Sequence, residues 1–299
     1  MNATFESMPR HIALYQARRE PYAICDGKMF RRDRGMIRPY GPIAADYSLS
    51  AAAAHSLLDR LRGRLIRTTD GFRRIDEPSP WYAVVCKAFQ PLSAMKAKQR
   101  SEIRRGLRLC EVRRVDTPYL AENGYTVFRR AFERYTNIRG PVWTEPQFRR
   151  HLLDAREFDD IVHCWAVFRA QQLVAFGINN VFDRIEATYW LIKLDPDHLD
   201  AYPAYALLYT MNRYYLEEND FQYVNDGWRA LLHPTRIQEF LIKKFNFCKA
   251  YCRLTVHYKP WLALALHMTY PLRGMLGRLD PRVKALYALE SVRRGCRAN

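Results

Sequence analysis

Short apolar runs of strand length and longer stretches with a helical apolar period take turns along this chain. The pattern predicts strands over residues 22–30 and 35–40, with the charged run Arg31 to Arg34 between them. An Ala-rich helix is expected over 51–62, capped by Ser48 or Ser50, and then a strand over 65–68. The apolar run from Trp81 to Phe89 has strand length and ends at Pro91, and a helix over 93–109 follows it. Helices are expected next over 118–135 and 145–156, then strands over 161–168, 173–182 and 185–194. Turn residues at 169–172 and at Asp183 and Arg184 make these three strands antiparallel hairpins. The third is apolar on both faces, as a buried central strand is. A helix over 202–218 is apolar nearly all round and belongs in the core. A strand over 221–225, a helix over 235–245 and a strand over 251–258 complete the unit. The tail after Pro260 reads as helical in two pieces, broken near Pro271 and at Asp280 and Pro281.

Composition narrows the class. The chain has 299 residues, 48 Lys and Arg against 31 Asp and Glu, and a formal charge of +17. Its mean hydropathy is −0.38. These values exclude a disordered tail, a collagen-like fibre and a polytopic membrane protein. A charge of that size points to an anionic partner. The seven cysteines are scattered without a C-x-x-C pair, so neither a disulfide framework nor a zinc ribbon is expected. Cys248 and Cys252 are read as lying on one face of one strand. No motif marks a metal site. The first twenty residues hold no apolar run of signal-peptide length, and the stretch 261–272 is too short to span a bilayer. A cytoplasmic location with reduced thiols is the expectation.

Residues 96–114 hold eight basic residues against two acidic ones. Ile103, Leu107 and Cys110 leave only a narrow apolar stripe, so Lys96, Lys98, Arg100, Arg104, Arg105 and Arg108 form a candidate phosphate- or anion-binding face. The tail combines leucines and methionines with Arg273, Arg278 and Arg282. It is expected to lie back on the first half, with peripheral contact to an anionic membrane as the alternative.

Several motifs resemble one family. The segment Arg38-Pro39-Tyr40-Gly41-Pro42-Ile43, the 81–89 strand leading into Lys96 to Arg105, and Val224-Asn225-Asp226-Gly227 followed by Ile237 to Phe247 occur in one order. Together they resemble the FemAB-type branch of the GCN5-related N-acetyltransferase (GNAT) superfamily, over roughly residues 22–258. The element order of the second half is similar to that superfamily as well. The resemblance implies an α+β fold of two GNAT-like halves, each a mixed, mostly antiparallel sheet flanked by helices. The divisions expected are 1–92, 93–258 and a helical tail over 259–299. It also implies an acyltransferase that joins an acyl or aminoacyl group to an amine on a small molecule or peptide. The donor is an acyl thioester on CoA or acyl carrier protein, or alternatively aminoacyl-tRNA. A non-catalytic RNA-binding protein on the same scaffold is the rival from another class.

GNAT-like sheets splay their two central parallel strands to admit the donor, here 185–194 and 221–225. The C-terminal ends of these strands nominate Tyr189, Trp190 and Lys193 on one side, and Asn225, Asp226 and Trp228 on the other. Asp226 is the first candidate to deprotonate the amine, with Glu186 a rival base. Lys243 and Arg229 are candidate oxyanion or phosphate contacts, and Lys243 stands near the family's lysine by a one-residue shift. His233 is a further substrate-binding candidate. The loop 194–200, where ordinary GNAT enzymes carry glycines for the CoA diphosphate, holds Asp195, Asp197 and Asp200 instead.

Overall fold

The computed structural model describes residues 5–70, 78–133, 142–232 and 236–295. It is an α+β fold built on two mixed sheets. The first half runs α1 (Met8–Ala17), β1 (Tyr22–Cys25), β2 (Lys28–Asp33), β3 (Met36–Pro39), α2 (Ala51–Arg60) and β4 (Leu65–Asp70). The pattern does not predict α1, whose His11, Leu14 and Tyr15 are its buried residues. The strand expected over 22–30 is a hairpin, because Asp26 and Gly27 both take positive φ between β1 and β2. Ser50 caps α2 by accepting from the Ala53 amide at 3.1 Å.

Then come β5 (Tyr82–Cys86), α3 (Ala97–Leu109), β6 (Glu111–Val115), α4 (Thr117–Asn123), α5 (Tyr125–Glu133) and α6 (Glu145–Leu153). These lead into the predicted hairpins β7 (Val162–Arg169), β8 (Gln172–Phe182) and β9 (Glu186–Leu194). The chain ends with α7 (Pro203–Arg213), β10 (Tyr223–Trp228), α8 (Arg236–Lys244), β11 (Cys248–Tyr251), β12 (Arg253–Tyr258), α9 (Pro260–Thr269), α10 (Arg273–Leu279) and α11 (Pro281–Arg293).

The first sheet has the order β1-β2-β3-β4-β12, the second β11-β5-β10-β9-β8-β7-β6. Among the described residues only β3 with β4 and β9 with β10 run parallel. The sheets exchange strands: β5 follows the first half yet pairs in the second sheet, and β12 returns from the second half to close the first. Chain order therefore does not separate the sheets at residue 92. The crossings are side by side, where the Cys252 amide donates to the Trp81 carbonyl at 3.2 Å. The single strand expected over 251–258 is thus two strands in two sheets, which leaves Cys248 exposed and Cys252 buried rather than on one face.

Helices α3, α7 and α8 cover one face of the second sheet around Ile103, Leu207, Met211 and Leu241, while α4, α5 and α6 cover the other around Phe128, Phe148 and Leu152. The buried line of α3 is Gln99, Ile103 and Gly106, continued by Cys110, while Leu107 is exposed. Helix α3 rolls this way because Gly106 lets it lie against α7. A Cβ there would stand 2.7 Å from the Tyr202 carbonyl oxygen. In the tail, α11 buries Leu289 and Val292 against Leu254, Val256 and Trp81. Trp261, Leu264, Met268, Leu272, Met275 and Leu279 of the α9–α10 stretch are exposed. No helix among the described residues is long and apolar enough to cross a membrane.

Candidate functional site

Strands β9 and β10 pair through Tyr223↔Glu186, Val224↔Ala187 and Asn225↔Thr188, and the pairing stops there. Two bulges force them apart. On the β8 side, Asn179 faces Tyr189 and Ile178 faces Leu191, so Trp190 is an extra residue in β9. On the β5 side, Asn225 faces Val85 and Trp228 faces Ala83, so Asp226 and Gly227 share the place opposite Val84. Bulges bend a strand and re-aim its side chains. Gly227 meets the requirement of its bulge with φ +89°, a conformation costly for any residue with a Cβ.

The splayed ends open into a 340 Å³ cavity between the two sheets. Tyr189, Trp190, Asn225, Asp226 and Trp228, the strand-end candidates, line it, and so do Glu186 and Arg229. Asp226 is partly buried, and burial pushes its carboxyl up to about 7 against the opposing hydrogen bond from Gln238. Its neighbour Asn225 is fully buried. Asn225 donates to Glu186 at 2.5 Å and to Thr188 at 3.0 Å, and accepts from the Gly227 amide at 2.8 Å, which fixes the backbone on either side of Asp226. Trp228 stacks on Trp81 with centroids 5.7 Å apart, walling the cavity at the strand crossing.

Glu186 differs from Asp226. It is fully buried and accepts from the Ile43 amide at 2.6 Å, Thr188 at 2.5 Å, Tyr223 at 2.7 Å and Asn225. Burial raises its pKa, and these donors oppose the rise by stabilising the carboxylate form. With its oxygens so engaged, it latches the Pro42–Ile43 turn of the first half to β9 and β10. Tyr189 is likewise engaged, donating to Asn212 at 2.6 Å. Trp190 stacks on His151 at 5.1 Å. Arg229 donates to the Pro80 carbonyl at 2.6 Å, so it ties β10 to the crossing as well as lining the cavity.

Other nominated residues lie elsewhere. Lys193 is not among the lining residues: its ammonium sits 3.8 Å from the Phe132 ring centroid, and burial lowers its pKa to about 8. Lys243 is exposed on α8 and does not line the cavity, because that helix turns its buried face, Leu241, into the core. Its neighbour Lys244 pairs with Glu102 of α3 at 2.6 Å. His233 lies outside the described residues. Lys96, Lys98, Arg104, Arg105 and Arg108 are exposed and Arg100 is half-buried, all away from the cavity lining. Besides Arg229, the cavity's cations are Arg31, Arg38 and Arg67 from the first sheet, which the strand-end argument does not reach. The repeated pairs Phe30-Arg31, Ile37-Arg38 and Ile66-Arg67 are the sequence signal that points to them: one apolar residue inward and one arginine outward on three successive strands.

The N-terminus of α7 does not fit a CoA diphosphate. It begins at Tyr202, in the left-handed region at φ +58°, and at Pro203, which has no amide hydrogen. Helix α3 lies against it, with Arg105 stacked 5.1 Å from the Tyr202 ring centroid. The acidic loop is internally paired: Arg130 holds Asp195 at 2.8 Å, and Arg169 holds Asp200 at 2.9 Å. A second hollow of 570 Å³ runs along α6 past Glu145, Arg149 and Asp154, and one helix supplies all its lining, so no groups converge there. Among the described residues no cluster of three or more metal-ligating side chains occurs.

The same double fold occurs in two solved structures. FemX aligns over 86% of this chain and 92% of its own, with TM-score 0.55 and 11% identity. The C-terminal domain of a putative lysylphosphatidylglycerol synthetase from Agrobacterium fabrum aligns over 85% and 89%, with TM-score 0.54 and 14% identity. No family model and no curated protein sequence matches the chain. The chain has a FemX-like fold.

Proposed function

We propose that the protein is an N-acyltransferase that forms an amide from an activated acyl group and an amine. The observation that carries this reading is the splayed β9–β10 pair with Asp226 at its mouth, a carboxyl whose pKa of about 7 suits a general base at neutral pH. In the reaction the amine nitrogen attacks the acyl carbonyl carbon and the C–N bond forms. Asp226 accepts the amine proton, and the tetrahedral intermediate expels its thiolate or ribose oxygen, which takes up a proton. Backbone N–H groups of β9 beyond Thr188, past the end of the β10 pairing, are the donors proposed for the oxyanion.

A thioester, on CoA or acyl carrier protein, is the first donor proposed. The closed N-terminus of α7 favours a second, an aminoacyl ester on tRNA, with the basic face of α3 tracking its phosphates. The test is to offer acyl-CoA, acyl carrier protein and aminoacyl-tRNA separately with a pool of amines, and to follow new amides by mass spectrometry. Amide formation with one donor, lost in Asp226→Asn, supports the reading. Retention of tRNA with no donor consumed and no effect of Asp226→Asn would instead favour the RNA-binding rival.

A further inference from the structure

The tail has two apolar sides and buries only one. Leu262 and Leu266 of α9 and Leu276 of α10 pack against Val283, Leu286 and Tyr287 of α11, and α11 in turn seats on β12. The side of α9 and α10 turned away from that contact carries Trp261, Leu264, Met268, Leu272, Met275 and Leu279, each more than half exposed. They recur at intervals of three or four residues, the period of one helical face. Elsewhere among the described residues only Leu107 and Leu199 are exposed large apolar side chains. Apolar side chains scattered singly over a surface are ordinary, but a contiguous stripe marks an interaction site.

The ionic groups around the stripe select its occupant. Helix α9 has no Asp, Glu, Lys or Arg, whereas the water-facing side of a helix is ordinarily charged. Between residues 260 and 289 the exposed ionic side chains are Arg273, Arg278, Arg282 and Lys284. The one carboxylate of that stretch, Asp280, caps α11 by accepting from the Arg282 amide at 2.5 Å. A second copy of the chain would bring these cations against one another, with a formal charge of +17 on each partner. An anionic bilayer matches both features. Leucines and methionines enter the acyl boundary, while the arginines beside them stay among the headgroup phosphates. Trp261 stands at one end of the stripe, and an indole ring favours the headgroup level. No helix among the described residues is long enough to span, so contact of this kind is in the plane of the interface.

We propose that the outer face of α9 and α10 is a docking surface for an anionic lipid bilayer, with both helices lying in the interfacial plane. The assignment rests on the tail alone and does not depend on the acyl-transfer reading.

The test is co-sedimentation of the full chain with vesicles of equal parts phosphatidylcholine and phosphatidylglycerol, and with vesicles of phosphatidylcholine alone. Binding to the anionic vesicles is expected, and on phosphatidylcholine it is weaker by about tenfold or more. Leu264→Gln combined with Met268→Gln is expected to weaken binding to the anionic vesicles by about tenfold or more. Arg273→Gln combined with Arg278→Gln is expected to weaken it by about tenfold and to leave the phosphatidylcholine result unchanged. All four side chains are exposed, so both variants are expected to melt with the parent. If one variant fails to fold, the other carries the comparison. Brominated acyl chains are expected to quench part of the tryptophan fluorescence, and that part disappears in Trp261→Phe while the variant still sediments. Absence of binding overturns the docking surface. So does binding that the Leu264 and Met268 replacements leave intact, because positive charge elsewhere on the chain, helix α3 included, then accounts for it. Equal binding to both vesicles overturns the anionic class. A dimer in light scattering that the same replacements convert to a monomer gives the stripe to a second copy and overturns the bilayer as its occupant.

Discussion

Asp226 and Glu186 are two carboxyls on paired strands whose surroundings set them to different tasks. Among the described residues Asp226 has one side-chain hydrogen-bond partner, Gln238, and a pKa of about 7, so its charge changes across the neutral range. As the base it works ionised, and kcat/KM is expected to rise with pH and level off above about 7 in a pH–rate profile. Asp226→Asn removes that limb and lowers kcat on the order of 10²–10⁴-fold. The same shift affects stability. The folded protein holds this proton more tightly than the unfolded chain, whose carboxyl titrates near 3.8, so stability falls as pH rises from about 4 to about 7. Chemical denaturation at pH 8 should therefore find Asp226→Asn more stable than the parent, on the order of 2–4 kcal/mol; a variant less stable at pH 8 than at pH 4, relative to the parent, reverses the sign and sinks the argument. Glu186→Gln tests the other role. Replacing an acceptor of four hydrogen bonds with an amide sets N–H against N–H or O–H in a buried site, at a cost of about 1–3 kcal/mol. Loss of stability is expected to exceed any loss specific to turnover, and an intact melting temperature with abolished activity would restore Glu186 as a base.

Contacts between elements are where single residues of this chain are least tolerant. Gly106→Ala places a methyl 2.7 Å from the Tyr202 backbone oxygen and 3.2 Å from the Ala206 amide nitrogen, neither of which can rotate away. A loss of about 1–3 kcal/mol is expected, read by equilibrium urea unfolding. The same pair of helices shows what the sequence makes legible. The basic helix, its length and its exposed arginines follow from composition and period, but its buried line does not. A glycine has no hydropathy to speak of, and its value lies in the close approach of α7, so the pattern selects Leu107 where the fold uses Gly106. The central strands behave in a similar way. Aromatic and apolar content makes β9 readable as a buried strand and places Tyr189, Trp190, Asn225 and Asp226 together, since strand-end position is a property of local sequence. Lys193 and Lys243 lie outside the cavity lining for the opposite reason. Whether a lysine near a strand or helix end faces a cleft depends on bulge register and helix roll, which are set by partners distant in the chain. Arg31, Arg38 and Arg67 are the extreme case: each reads as an ordinary outward charge on a strand, and only the pairing of three strands against a second sheet makes them one feature.

At the scale of the whole molecule, the strand exchange ties the two halves together more tightly than a linker would. β5 cannot leave the second sheet without pulling on the crossing at Trp81, and β12 cannot leave the first without pulling on Cys252, where Ser79 also donates to the carbonyl at 2.9 Å. The tail adds a third tie, because Glu290 of α11 accepts from Tyr258 of β12 at 2.9 Å and is clasped by Arg293 and Arg294. Removing residues 260–295 takes Leu289 and Val292 off β12 and uncovers Leu254 and Val256. Each such side chain contributes about 1.5–3 kcal/mol when buried, so a fall of several kcal/mol is expected in denaturant unfolding. Cooperativity gives the sharper test. Independent halves joined by a linker would melt in two steps, whereas halves that share strands should melt in one. With Trp143, Trp165, Trp190 and Trp261 replaced by Phe, Trp81 and Trp228 report the crossing through fluorescence, and far-ultraviolet circular dichroism reports both sheets and their helices. The two transitions are expected to coincide in guanidinium. A fluorescence change that precedes loss of secondary structure would mean that the crossing opens before either sheet does. The cavity between the sheets, with Asp226 on one wall and Arg31, Arg38 and Arg67 on the other, would then be held by each half separately rather than by the strands they exchange.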